Sequence, residues 1–331
     1  MRAAGWLLAI VLLAGGAAYL GWRDYTASGP LQTAKIVIIP KGAGARDAGE
    51  LLATAGVINH AFVFTAGTYL SGRAKTLRAG EYELPAGSSG RDAADLIDSG
   101  KVVRHRLTIP EGMTSAEVVA MIDAAPALDG AIDAEPPEGT VLPDTYFYVL
   151  GNTRQELLAR MHRAMEKAIA IAWAERAPNL ALASPAEAVA LASIVEKETA
   201  KPDERARVAG VYLERLKIGM KLQADPTVIY VLTKGGARPL PHPLNHDDLA
   251  IASPYNTYVE KGLPPTPIAS PGLASIRAAV QPDMRGELYF VADGTGGHAF
   301  AKTLDEHNRN VAKLRSLQGG GANGSTPGGG G

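Results

Sequence analysis

Residues 184–200 read SPAEAVALASIVEKETA. Ser184 is a natural N-cap, Pro185 suits the first helical position, and Glu187 completes a capping box. From Ala188 to Val195 the side chains are apolar or small on every side. Most of such a helix is expected to be buried. Two carboxylates then close the run. Positions two apart on a helix point in nearly opposite directions. Glu196 continues the small face of Val189, Ala192 and Ser193, and Glu198 continues the bulky face of Leu191, Ile194 and Val195. A carboxylate on a small-residue face can meet a ligand closely, and burial behind Ala192 and Val195 would favour its protonated form, as general acid catalysis needs. The plain alternative is a solvated helix end.

The 331 residues are 46% hydrophobic, carry a formal net charge of −1 and include no cysteine. That is enough apolar material for two domains, each with its own core. The charge gives no pull toward nucleic acid, and no basic stripe supplies one locally. Without cysteine there are no disulfides, thiolate metal sites or cysteine nucleophile. No Gly-x-Ser-x-Gly elbow is present. His242 and His246 are spaced as in some zinc sites, but they sit in a Pro-rich polar stretch with no third ligand marked, so neither metal nor cofactor is expected.

Gly5 to Trp22 carries no charge and is long enough to cross a bilayer, with Trp6, Tyr19 and Trp22 near its ends. A signal peptide cleaved after Gly16-Ala17-Ala18 is the rival reading. The apolar run continues to Trp22, which favours an uncleaved single-pass anchor in the cytoplasmic (inner) membrane through residues 5–22. Arg2 is then inside, and all beyond Arg23 lies on the periplasmic or extracytoplasmic side. Residues 23–33 read as a polar linker. A unit then recurs: an apolar strand end, a Pro-x-Gly turn and an amphipathic helix. Its copies are Ile39-Pro40-Lys41-Gly42, Leu84-Pro85-Ala86-Gly87 and Ile109-Pro110-Glu111-Gly112, with helices over 45–54, 89–98 and 114–123. Residues 35–39 and 80–84 are the strands. The first two copies make a small α+β domain, 34–104, of the kind found in LysM-like glycan-binding modules. Its aromatic residues are Phe62, Phe64, Tyr69 and Tyr82. The third copy opens a larger domain, 105–318, through a strand at 102–109. Residues 319–331 are Gly-rich and expected to be disordered.

Within the larger domain, EGTVLPDTYFY (138–148) predicts an ordered loop and short strand, and helices are expected over 154–176 and 203–217, the latter stopped by Gly219. In Met220 to Tyr230, polar Gln223, Asp225 and Thr227 alternate with apolar neighbours, as a cleft wall would. Asp225 and Pro226 also read as an ordinary helix start, with Asp225 the N-cap. Ser253 to Tyr258 with Gly262 to Ile268 is too rich in proline for regular structure, and its Tyr255, Asn256 and Tyr258 offer the ring faces and polar groups that sugars need. A short helix follows at 275–280. Glu287–Ala292 and His298–Lys302 flank Asp293-Gly294-Thr295-Gly296-Gly297 as a β-hairpin, not a phosphate loop. Thr303 and Glu306 cap a last helix running to about Leu317.

Together ASIVEKETA (192–200), LKIGMKLQADPTVIY (216–230), SPYNTY with GLPPTPI (253–258, 262–268) and LYFVADGTGGHAF (288–300) resemble the endolytic murein transglycosylases, the YceG-like, MltG-type family. EGTVLPDTYFY resembles a further block, and the similarity spans roughly residues 34–316. The resemblance implies an α+β protein with an N-terminal transmembrane helix, a LysM-like domain and a mixed α/β catalytic domain. It implies a lytic transglycosylase that cuts the MurNAc-β-1,4-GlcNAc bond of nascent peptidoglycan strands and leaves a 1,6-anhydroMurNAc end. Glu196 corresponds to the family's general acid/base. Gln223, Asp225, Thr227, Tyr255, Asn256 and Tyr258 are the candidates to hold the sugar. The implied partners are glycan strands and, beside them, penicillin-binding proteins. The alternative is a non-catalytic glycan-binding scaffold of the wall machinery, in which Glu196 is only a helix-end charge. A hydrolase using Asp225 to activate water would differ from the lytic enzyme in its product end.

Overall fold

The computed structural model describes residues 2–320, and the chain forms two compact units. The first takes the chain up to Arg106, with Pro126–Asp129 and Phe147–Asn152. Among the described residues, the second takes Leu107–Ala125, Gly130–Tyr146 and 153–320.

The first unit begins with α1 (Arg2–Thr26), whose stretch from Gly5 to Thr26 is long and apolar enough to cross a membrane and in which no residue from Gly5 to Asp24 is buried. The helix does not stop at Trp22. It runs four residues into the expected linker, and Tyr25 there is only 2% exposed. The linker reading fails because Tyr25 is a core residue: its ring lies where a Cβ on Gly67 would be. Next come β1 (Lys35–Ile39), α2 (Ala45–Thr54), α3 (Ala61–Leu70), β2 (Gly80–Leu84) and α4 (Gly90–Ser99). The strands β1 and β2 pair antiparallel, Lys35 opposite Leu84 and Ile39 opposite Gly80. Alternation turns Val37 and Ile39 inward and Ile36 and Ile38 outward. The inward pair meets Leu52, Phe64, Tyr82 and Ile97 in one core. Phe64 and Tyr82 are buried there, which removes them as ring platforms for a sugar. Ser89 caps α4 in a reciprocal box with Asp92, and Gly100 ends it in the left-handed conformation at φ 69°. Four short strands follow, β3 (His105–Thr108), β4 (Leu128–Asp129), β5 (Thr145–Tyr148) and β6 (Asn152–Thr153). They pair as β3 with β5 and β4 with β6.

The second unit is mostly helical: α5 (Ser115–Ala124), α6 (Arg154–Ala174), α7 (Pro185–Glu198), α8 (Arg205–Lys217), α9 (Asp225–Leu232) and α10 (Leu273–Val280). The hairpin of β7 (Tyr289–Ala292) and β8 (His298–Ala301) and the helix α11 (Leu304–Gly320) complete it. The expected burial of α7 is observed, and the helix is central. Residues Ala188 to Val195 are all buried, and α6, α8, α9 and α10 pack around them. Ser184 caps α7, accepting from the N–H of Glu187, but the Glu187 carboxylate reaches back to the N–H of Ala183, 2.7 Å, so the expected box does not close. Thr303 and Glu306 do cap α11 reciprocally. That helix continues through Gly319 and Gly320. The rest of the Gly-rich tail lies outside the described residues.

Candidate functional site

The two glutamates at the end of α7 diverge as helical geometry requires. The side chain of Glu196 is only 6% exposed and its two oxygens are engaged separately. One accepts from the backbone N–H of Gly272, at 2.9 Å, where α10 begins. The other accepts from Nη2 of Arg205, at 3.2 Å, the first residue of α8. The same Nη2 reaches a second carboxyl group, that of Glu111, at 3.4 Å. Burial, and then the neighbouring Glu196, raise the pKa of Glu111 above the ordinary carboxylate value.

Two glycines make this meeting possible. A Cβ on Gly272 would collide with the Glu111 carboxyl group. Gly112, at φ 78°, turns the loop beneath Glu196, and a Cβ there would stand 3.6 Å from Glu196 Cγ and 3.4 Å from Lys197 Cδ. The loop is fastened by Lys197 Nζ donating to the Gly112 carbonyl, and by a reciprocal backbone pair: Gly112 N–H to Ser270 and Ser270 N–H to Met113. Arg205 Nε and the Ser270 hydroxyl are buried there with no hydrogen-bond partner among the described residues. Unspent donors beside an engaged carboxylate are what a polar ligand would use.

Glu198 points the other way. It accepts from the hydroxyl of Tyr212 at 2.7 Å, and burial pushes its pKa up to about 7, with the charge of Asp225 adding to the effect. Asp225 is not the N-cap of α9: Ala224 holds that position and Asp225 is the first helical residue. Its carboxylate instead takes the hydroxyl of Tyr258, at 2.5 Å.

The six candidate sugar contacts therefore separate. Among the described residues none of them is hydrogen-bonded to Glu196. Asp225 and Tyr258 form a pair near Glu198. Gln223 is exposed and held at φ 51° by its N–H to the Thr257 carbonyl. Thr227 and Asn256 are fully buried. The Thr227 hydroxyl is spent on Ala224 and Thr257, and the Asn256 amide on the Leu249 and Ile251 carbonyls and the Tyr258 N–H. They build the loop from inside. Tyr255 faces a different hollow, of about 450 Å³, lined also by Tyr230 and Glu138. Its ring centroid is 5.0 Å from that of Tyr230, and its hydroxyl bonds to Thr266 at 2.8 Å.

Glu138, from the EGTVLPDTYFY block, is common to that hollow and to a more apolar one of about 480 Å³ bounded by Val189 and Pro267. Its carboxyl group receives the N–H and hydroxyl of Ser115 at the start of α5 and the hydroxyl of Tyr230, and burial pushes its pKa up to about 7. Sequence reading missed Glu111, Arg205, Gly272 and Glu138 as site residues. The one local signal was that the third Pro-x-Gly turn carries an acid where the others carry Lys41 and Ala86.

The YceG-like family matches residues 37–313. The endolytic murein transglycosylase of Bacillus subtilis is 37% identical over 182 residues, which cover 55% of this chain and 49% of that protein. The endolytic murein transglycosylase of Streptococcus pneumoniae R6 is 29% identical over 323 residues, covering 83% of this chain and 57% of that protein. The chain thus spans about half the length of the curated relatives it matches. The crystal structure of a yceG-like protein from Listeria monocytogenes is similar with a TM-score of 0.50 and 30% identity, covering 84% of this chain and 99% of the other.

Proposed function

The chain belongs to the YceG-like family, and from that membership we propose that it is a membrane-anchored lytic transglycosylase cutting the MurNAc-β-1,4-GlcNAc bond inside peptidoglycan strands, with Glu196 as acid and base. The observation that carries this reading is the setting of the Glu196 carboxyl group. It is enclosed, held between the Gly272 N–H and Arg205, and accompanied by a second carboxyl group that retains its proton more readily than a free glutamate.

One carboxyl group suffices for the chemistry. Glu196 gives its proton to the bridging oxygen as the bond from that oxygen to the sugar's anomeric carbon breaks. Arg205 and the Gly272 N–H then stabilise the carboxylate left behind. The 6-hydroxyl of the same sugar attacks the anomeric carbon and returns its proton to Glu196, so water is not consumed. An intramolecular nucleophile has a high effective molarity, which removes the need for the second carboxylate that hydrolytic glycosidases use. Tyr255 with Tyr230, and Asp225 with Tyr258, are the surfaces we assign to neighbouring sugars, while Thr227 and Asn256 shape the loop that presents them. The substrate places the catalytic unit on the extracytoplasmic side, beside the penicillin-binding proteins that make the strands.

The test is digestion of peptidoglycan by the full chain in detergent and by its Glu196→Gln variant, with products identified by mass spectrometry. The parent is expected to yield anhydromuramoyl ends, and the variant to lose on the order of 10²–10⁴-fold in rate. Free reducing ends would replace the lytic route with hydrolysis. Binding of glycan without cleavage by the folded parent would leave a scaffold.

A further inference from the structure

The helix α3, AFVFTAGTYL, contains no charged residue, yet three of its large side chains face outward: Phe62 is 81%, Tyr69 66% and Leu70 80% exposed. Their spacing, with Ala66 between, puts them on one side of the helix. Scattered apolar residues on a surface are ordinary, but three on ten residues form a patch.

The patch lies against the end of α1. His60, just before α3, pairs with Asp24 at 2.9 Å, and Gly67 lies against the ring of Tyr25. His60 at the N-cap of α3 and Gly67 seven residues on thus meet adjacent residues of α1, so α3 crosses the end of α1. Beneath the crossing is an apolar crevice of about 270 Å³, where Ala17, Gly21 and Trp22 face Phe62, Ala66 and Leu70. A helix rises 1.5 Å per residue and needs about 20 residues to cross a bilayer core. If the span runs from Gly5 to Trp22, Ala17 to Trp22 lie within about 8 Å of its outer end. Side chains that line the crevice with them lie at that depth. Trp22 and Tyr69 are also residue types favoured in the interfacial layer.

We propose that α3 lies in the interfacial layer of the membrane, with Phe62, Tyr69 and Leu70 among lipid acyl chains that also fill the crevice against α1. The first unit is then seated on the bilayer by two elements, a span and a helix lying across it. This rests on α1 being a membrane span and is independent of the chemistry at Glu196.

The absence of cysteine makes the test direct. Single cysteines replace Leu12, Phe62, Leu70 or, as a control, the exposed Glu50 of α2. Each is labelled with an environment-sensitive fluorophore in the full chain, reconstituted in phosphatidylethanolamine–phosphatidylglycerol vesicles carrying acyl-chain nitroxides. The expected result is at least two-fold quenching at Leu12→Cys, Phe62→Cys and Leu70→Cys and none at Glu50→Cys. Quenching at Leu12→Cys with Phe62→Cys and Leu70→Cys matching Glu50→Cys would overturn the proposal and leave the span. An unquenched Leu12→Cys would overturn both. The exposure of Phe62 and Leu70 means that neither substitution disturbs the core.

Discussion

Arg205 donates to two carboxyl groups, Glu196 and Glu111, and that sharing gives the site a testable pH behaviour. Burial and the nearby Glu196 raise the pKa of Glu111, so the pair resists carrying two negative charges. Glu111→Gln removes the like charge and leaves Arg205 to Glu196 alone. The alkaline limb of the pH–rate profile for glycan cleavage is expected to move down. Arg205→Met should move it up. An unchanged limb in Glu111→Gln would mean that Glu111 only shapes the loop. Gly272→Ala tests the same corner sterically, because its Cβ would push the Glu111 carboxyl group aside. Cleavage should fall about 10²-fold while the circular dichroism spectrum is unchanged. As a candidate, Glu196 stood out in the sequence because the switch from a small apolar face to a carboxylate is a local pattern. Glu111 was not, because its partner stands 94 residues away and its own surroundings read as a turn.

Among the elements, those with caps were readable nearly to the residue. Thr114 with Glu117 opens α5, and Thr153 with Glu156 opens α6, each with both hydrogen bonds of a capping box. Thr153→Ala removes an exposed cap without opening a cavity, and should lower stability by about 1 kcal/mol in thermal unfolding of the full chain. A change below a few tenths would show that tertiary packing alone holds that end. The helix α3 has no side-chain cap and little amphipathic pattern, so nothing in its ten residues declared it. The start of α9 misled for the opposite reason. Asp225-Pro226 has the residues of a cap, but Tyr258, 33 positions on, claims the carboxylate.

Across the larger unit, two carboxyl groups outside the Glu196 corner are pushed by burial from 4.5 to about 7, Glu138 and Glu198. For such groups the folded state binds more protons than the unfolded one between those values. Their contribution to stability is complete below about pH 4.5 and is lost as the pH rises through about 7. At 1.36 kcal/mol per unit, each shift corresponds to roughly 3 kcal/mol. The unfolding midpoint should therefore fall between pH 5 and 8 by roughly 4 °C or more, and Glu138→Gln should flatten the slope. A midpoint independent of pH in the parent would contradict these environments. By itself the chain's order of residues determined most of its helices, its hairpin and the buried rank of α7, because caps, glycine stops and hydrophobic period act within a few positions. Only the tertiary structure decided that Tyr25 is core rather than linker, that Thr227 and Asn256 are spent inside a loop, and that Glu111, Arg205 and Gly272 converge on Glu196. Those outcomes depend on which distant backbone and side-chain groups come within hydrogen-bond reach, and no local pattern encodes that distance.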